Sequence, residues 1–325
     1  MVSRPRFPVI DVHNHLGEEF GGGWCNRSVE ELLKVLDDAN VQQLVDLDGG
    51  WGEGVLHQRL DKFKSAAPER FSIFGGVEWT AWVKYGHHFG EWTASRLRHQ
   101  VASGAGGLKI WKNFGLHIRD HSGTLVPVDD PRLDALWVTA GELGIPVMIH
   151  VADPVAFFDP LDFYNERWEE LKAHPDWHFP SSIFPSFMTI IDQLASLVKR
   201  HAGTTFIGAH VGCYAENLAW VSDLLDKCPN FYVDIAARIG ELGRQPYTTR
   251  RFFMKYQDRI LFGTDMPPQA AWYQLYYRFL ETDDEYFNYD LSDPPTQGRW
   301  RIHGLHLPDE VLEKVYSLNA KKLLK

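Results

Sequence analysis

Short apolar runs rich in β-branched and aromatic residues alternate with longer segments of helical period along almost the whole chain, and this alternation restricts the fold more than any other feature. Eight runs read as strands: FPVIDVHNH (7–15), QQLVDLD (42–48), FSIFGGVEW (71–79), AGGLKIW (105–111), IPVMIHV (145–151), TFIGAHV (205–211), NFYVDIA (230–236) and RILFGTD (259–265). The segments between them carry helix signals. Ser28 followed by Glu31 opens SVEELLKVLDDAN as a capping box, and DDPRLDALWVTAGELG has Pro131 after an Asp cap and closes on Gly144. SFMTIIDQLASLVKRHAG and AENLAWVSDLLDKCPN show apolar stripes that stop at Gly or Pro-Asn.

Eight strand-helix units in about 270 residues predict a (β/α)8 TIM barrel, with residues 1–325 as one domain. A doubly wound open sheet is the rival, but no G-x-G-x-x-G loop follows the first strand. Three stretches exceed ordinary loop length, roughly 112–129, 152–186 and 266–306, so long insertions are expected after strands 4, 5 and 8. The last two are dense in Trp, Tyr, Phe and Pro, which predicts ordered aromatic lids over a pocket.

Charge and targeting signals narrow the function. The net charge of −10 is spread along the chain with no Lys/Arg block, which argues against a nucleic-acid partner. No run of 18 uncharged apolar residues and no charged n-region before an apolar stretch occurs, so neither membrane insertion nor export is expected. Cys25, Cys213 and Cys228 are odd in number and far apart, which fits a reducing cytoplasm better than a disulfide framework.

Metal-ligand residue types recur where the strands end. His13 and His15, two apart and therefore on one face of a strand, end strand 1. His150 ends strand 5, His210 ends strand 6 and Asp265 ends strand 8, all on the barrel rim where active sites lie. Neutral imidazoles with a carboxylate suit one divalent metal, zinc first and manganese or iron as alternatives. Such an ion acidifies bound water and polarises a carbonyl, so the pattern points to hydrolysis.

These motifs, HNH at 13–15, MIH ending at 150, GAHVG around 210 and FGTDMP around 265, resemble the amidohydrolase superfamily, specifically its amidohydrolase-related (amidohydrolase 2) branch of TIM-barrel metal-dependent hydrolases, which also contains decarboxylases. The resemblance runs from residue 8 to about 270, and the terminal DEVLEKVYSLNAKKLL is also of the family's type. It implies that His13, His15, His150 and Asp265 hold the metal. His210 would face the substrate as an acid/base or electrostatic partner, or ligate a second metal as in some branches. Asp265 would also accept the proton of the metal-activated water. By resemblance, long loops would join two copies into a homodimer.

Lys109 lies in strand 4, where binuclear relatives place a carboxylated lysine, while GLKIWK offers Lys112 beyond the strand end. An apolar strand makes a free ammonium costly, so Lys109 either faces the polar site, beside one metal, or pairs with a carboxylate such as Glu78. Arg238, after strand 7, is expected to clamp a substrate carboxylate, with Arg244 further out as a weaker candidate or a surface ion pair. Asp11 would share the His13 face at greater depth, either supporting a ligand histidine or adding interior polarity. His87, His88, His117, His121, His174 and His178 fall in loops.

The leading expectation is a metal-dependent hydrolase of a small organic ester, lactone or amide. The alternative is a non-oxidative decarboxylase or hydratase of an aromatic or unsaturated acid, and a third reading is a non-catalytic barrel with a vestigial site. The substrate is a small molecule, with a carboxylate or aromatic acid suggested by the aromatic segments.

Overall fold

The structure, a computed structural model, describes residues 2–17, 22–50, 52 and 54–324. Eight strands run parallel in sequential order: β1 (Val9–Asn14), β2 (Val41–Asp46), β3 (Phe71–Gly75), β4 (Gly107–Ile110), β5 (Val147–Ile149), β6 (Phe206–Gly208), β7 (Phe231–Asp234) and β8 (Ile260–Leu261). Two backbone hydrogen bonds join the first strand to the last: Val12 N–H donates to Phe262 O (3.0 Å) and Asp265 N–H to His13 O (2.8 Å). The sheet is thus a nearly closed barrel, and all eight expected strands are present.

Helices follow the strands and cover the outside: α1 (Val29–Asp38), α2 (Val55–Arg59), α3 (Phe89–Ala102), α4 (Asp134–Leu143), α5 (Phe187–Arg200), α6 (Leu218–Lys227), α7 (Pro246–Lys255) and α8 (Ala270–Glu281). Their starts obey the sequence signals. The Ser28 hydroxyl accepts from Glu31 N–H at 3.1 Å, Asp130 caps the turn that opens with Pro131, and Gly144 ends α4 in the left-handed region. One expectation needs correction. Residues 266–306 are not one long loop, because their first third is α8, whose Tyr273, Tyr276, Tyr277 and Leu280 recur at helical spacing and are buried. The aromatic residues that suggested a lid there serve the core.

The strand period of two divides the core. Ile10, Val12, Val45, Leu47, Phe74, Met148, Ile207 and Leu261 form one buried cluster inside the barrel, while the larger cluster lies between sheet and helices. That alternation aims the next inward residues at the C-terminal mouth: His150 after Met148, Asp234 after Tyr232, and Trp111 after Lys109. Strand β1 departs from it. Its register against β2 shifts between Asp11 and Asn14, so Asp11 does not share the His13 face. The Asp11 carboxylate instead accepts hydrogen bonds from Tyr273 on α8 (2.9 Å), from the Thr264 hydroxyl (2.8 Å) and from Asn14 (3.0 Å), pinning β1 to the end of β8. Burial pushes its carboxyl up to about 6 against those hydrogen bonds. No helix among the described residues is long and apolar enough to cross a membrane.

Candidate metal centre

His13, His15, His210 and Asp265 meet at the mouth of the barrel. Asp265 Oδ1 lies 3.2 Å from His15 Nε2 and 3.9 Å from His13 Nε2, and its Oδ2 lies 3.7 Å from His210 Nε2. His13, His210 and Asp265 each offer one ligand atom within 4.8 Å of the others. The His150 ring stands edge-on to His210, with centroids 4.4 Å apart. His13 fits closely because Gly263 faces it: a Cβ at that position would lie 2.8 Å from His13 Cβ.

Three of the imidazoles are oriented from behind. Asp234 Oδ2 accepts from His13 Nδ1 (2.9 Å), Asp48 Oδ1 from His15 Nδ1 (2.8 Å), and the Ala236 carbonyl from His210 Nδ1 (2.8 Å). Because these acceptors hold the Nδ1 proton, the Nε2 atoms of His13 and His210 present lone pairs to the centre, as metal ligation requires. Asp234 Oδ1 also accepts the backbone N–H groups of His210 (2.9 Å) and Ala236 (3.0 Å), so one carboxylate aligns two of the histidines. Asp234 and Asp48 are functional residues that the strand-end pattern alone does not single out. Their signal was an acidic residue inside or just after an apolar strand, VDIA and LVDLD.

The backbone around the mouth is unusual in the same places. His210, Val211, Cys213, Ala237 and Asp265 all have φ between 50° and 62°, a region that side chains other than Gly, Asn and Asp seldom occupy. The tight turn Ala209–Gly212 after β6 projects His210 over the barrel axis, at a cost of order 1–3 kcal/mol per strained residue.

Electrostatics separate the histidines by role. Burial pushes His13 down, helped by the Lys109 charge, and pushes His210 well below its ordinary value. Burial also takes His150 down to about 4 despite Asp153, whose Oδ1 is 3.4 Å from His150 Nε2; that nitrogen is buried and makes no hydrogen bond among the described residues. His15 is the exception. Burial opposes its charge, but hydrogen bonds to Asp265 and Asp48 outweigh it and raise the imidazole to about 9. Asp265, half-buried, is held well below the carboxylate range by His13, His15 and Lys109 despite the desolvation that opposes its charge.

The donor set fits a divalent cation: an ionised carboxylate with the Nε2 atoms of His13, His15 and His210 around it, whereas His150, edge-on to His210, has its Nε2 beside Asp153. A cation that takes His15 Nε2 must displace its proton, so acid competes with loading. Below about pH 9 and while the other histidines stay neutral, apparent zinc affinity of the metal-free protein is expected to fall about tenfold per pH unit. Competitive chelator titrations between pH 6 and 8 read this slope; a flat profile would mean that His15 carries no proton to displace.

Lys109 is buried and turned to the centre. Its Nζ lies 3.5 Å from His13 Nε2 and 4.9 Å from the Trp111 ring centroid, and among the described residues it makes no ion pair with Glu78. Burial lowers it to about 8, against Asp265 and Asp234. Lys112 pairs instead with Asp153. Arg238 is buried beside the mouth, donating to Ala237 O at 2.8 Å, whereas the fork of Arg244 is taken by Glu166 at 2.7 and 3.0 Å. Of the loop histidines, His87 and His88 pack on each other and His174 stacks on Trp177.

Barrel and cluster together define a TIM barrel with a candidate metal centre at the C-terminal end of the strands. The chain belongs to the amidohydrolase family Amidohydro_2, whose model matches residues 79–325. The fold is also that of solved structures. TIM-barrel protein Bb4693 from Bordetella bronchiseptica superposes with a TM-score of 0.61 at 15% identity, covering 98% of both chains. A 2,6-dihydroxybenzoate decarboxylase from Rhizobium gives 0.57 at 16%, covering 97% of this chain and 98% of its own. A dihydroxybenzoic acid decarboxylase from Polaromonas sp. JS666, with bound manganese and 2-nitroresorcinol, gives 0.56 at 15%, covering 97% and 96%. No curated protein matches the chain in sequence.

Proposed function

We propose that the protein is a metal-dependent hydrolase that opens a small organic ester, lactone or amide. The observation that carries this reading is the convergence of both Asp265 oxygens on His13, His15 and His210. His13, His15, His150 and Asp265 would hold one divalent cation, zinc in the first instance, with His210 facing the substrate. When bound, the cation supplies a water acidified towards neutral pH and polarises the carbonyl.

The protein's own groups supply the proton transfers. Asp265, kept ionised by its neighbours, is the base that takes the proton of the attacking water. His210 donates Nδ1–H to Ala236 O and is neutral, so its Nε2 enters as an acceptor. It can protonate the leaving group only with a proton received first, and Asp265, its Oδ2 3.7 Å away, can pass on the one it takes from the water. Lys109 offsets negative charge developing near His13, and Arg238 binds a substrate carboxylate or oxyanion from the β7 side.

A second reading, decarboxylation of a hydroxylated aromatic acid, is favoured by the two buried cations Lys109 and Arg238, which suit a carboxylate, and by the dihydroxybenzoate decarboxylases that share the fold. Incubating the zinc- or manganese-loaded protein with aryl esters, lactones, anilides and hydroxybenzoates separates the two. Acid release from an ester, lactone or amide, lost on chelation, is expected. Carbon dioxide release from hydroxybenzoates with every carbonyl substrate left intact would replace hydrolysis by decarboxylation.

A further inference from the structure

A cavity of about 420 Å³ leads from Lys109 and Trp111 out between the ends of β2, β3 and β4 towards α3. Three tryptophans stand in its walls. Trp111 lies 4.8 Å from the His15 ring, so the inner end of the cavity borders the cluster. Trp79 stacks on Phe114 (4.8 Å, 11° between planes), and Trp92 stacks on Tyr85 (4.5 Å, 18°). Each indole is therefore fixed by its own partner and needs little ordering when a flat ligand arrives. On one side of it Gly50 crosses Gly76 backbone to backbone. A Cβ on Gly50 would sit 2.5 Å from Gly76 Cα, so only glycine permits the crossing.

Size and polarity restrict the occupant. An apolar cavity of about 150 Å³ already admits one benzene ring, so this one has room for more than a single-ring arm. Its lining is mixed, with Glu78 and Arg96 both reaching it, and Arg96 makes no ion pair among the described residues, unlike Arg98 on the same helix, which pairs with Glu142 at 2.6 Å. The Asn113 side-chain oxygen is buried and accepts no hydrogen bond among the described residues, an acceptor for a ligand hydroxyl or N–H.

We propose that this cavity receives the second ring of a two-ring, hydroxylated aromatic substrate whose reacting carbonyl lies over the histidine–aspartate cluster. The inference rests on reading that cluster as the reaction centre, yet it concerns the part of the substrate that does not react. It assigns Trp79, Trp92 and Trp111 as specificity-determining walls and Asn113 as a hydroxyl acceptor.

Binding to the metal-loaded protein, read by quenching of tryptophan fluorescence and by calorimetry, tests it with two probes: 4-hydroxybenzoate, and 4′-hydroxybiphenyl-4-carboxylate with one ring more. The two-ring acid is expected to bind at least about tenfold more tightly, and Trp92→Ala should bring the two within about twofold by weakening the two-ring acid alone. Thr80→Trp, which fills the cavity from an exposed position, should cut two-ring binding about tenfold while leaving 4-hydroxybenzoate unchanged. Equal binding of the two acids, or equal losses for both in either variant, overturns the cavity assignment. Tight binding of two-ring esters without cleavage would leave the cavity assignment standing and overturn hydrolysis instead.

Discussion

Asp265→Asn is expected to lower turnover by about three orders of magnitude and to remove most tightly held metal, with the fold intact. The change deletes the negative charge between the imidazoles, and with it both the proposed ligand and the proposed base. It keeps the side-chain shape. It also suits the backbone, because residue 265 sits at φ 54°, where asparagine is one of the few residues tolerated. The backbone hydrogen bond from residue 265 to His13 O survives, so closure of the barrel between β1 and β8 is untouched. A second readout separates chemistry from damage. His15 loses one of the two carboxylates that hold its proton, so its pKa should fall from about 9 towards the ordinary histidine value. Activity assays, metal analysis of the purified variant and an NMR titration of His15 would together test this. Wild-type turnover in Asp265→Asn would exclude the residue as base and ligand.

The mouth of the barrel was readable in the sequence because barrel topology brings strand ends together and because histidine and aspartate at those ends are the residues that bind cations. Their supports were less readable. Asp234 and Asp48 stand in apolar strands without any local sign of which histidine they orient, since the partners lie 221 and 33 residues away. Asp11 turns to the opposite face from the one the period of two predicts, because a register shift breaks that period and no residue type in DVHNH announces it. In α8 the tyrosines follow helical spacing, but their aromatic density resembled a pocket lining. The left-handed turn at His210 and Val211 was hidden for a different reason. A β-branched residue argues against that conformation, and only packing around the mouth sustains it.

Arg167 was equally invisible, since a charged residue in a 35-residue stretch between strand and helix ordinarily faces water; its replacement by methionine is expected to destabilise the protein by about 3–5 kcal/mol. Its side chain is fully buried. The guanidinium pairs with Glu241 in the turn after β7 and with Glu170 at 2.7 Å, and lies 5.3 Å from the Trp300 ring in the segment after β8. Insertions from three strands therefore meet on one cation. Methionine fills similar volume but leaves Glu241 buried without its main counter-charge, and that uncompensated carboxylate carries most of the cost. Arg244→Met provides the contrast: its short contact is to the exposed Glu166 and it reaches Glu241 only at 3.9 Å, leaving Arg167 to neutralise that carboxylate, so the loss should stay at about 1 kcal/mol. Adding Glu241→Gln to Arg167→Met should restore part of the stability by removing the stranded charge. Thermal and denaturant unfolding of the four proteins would show a fall of about 5–10 °C for Arg167→Met and partial recovery in the double variant. Because Arg238 at the mouth borders the same glutamates, the loss should also raise KM more than it lowers kcat. Equal, small shifts for Arg167→Met and Arg244→Met would mean that the buried ion pairs do not hold these loops.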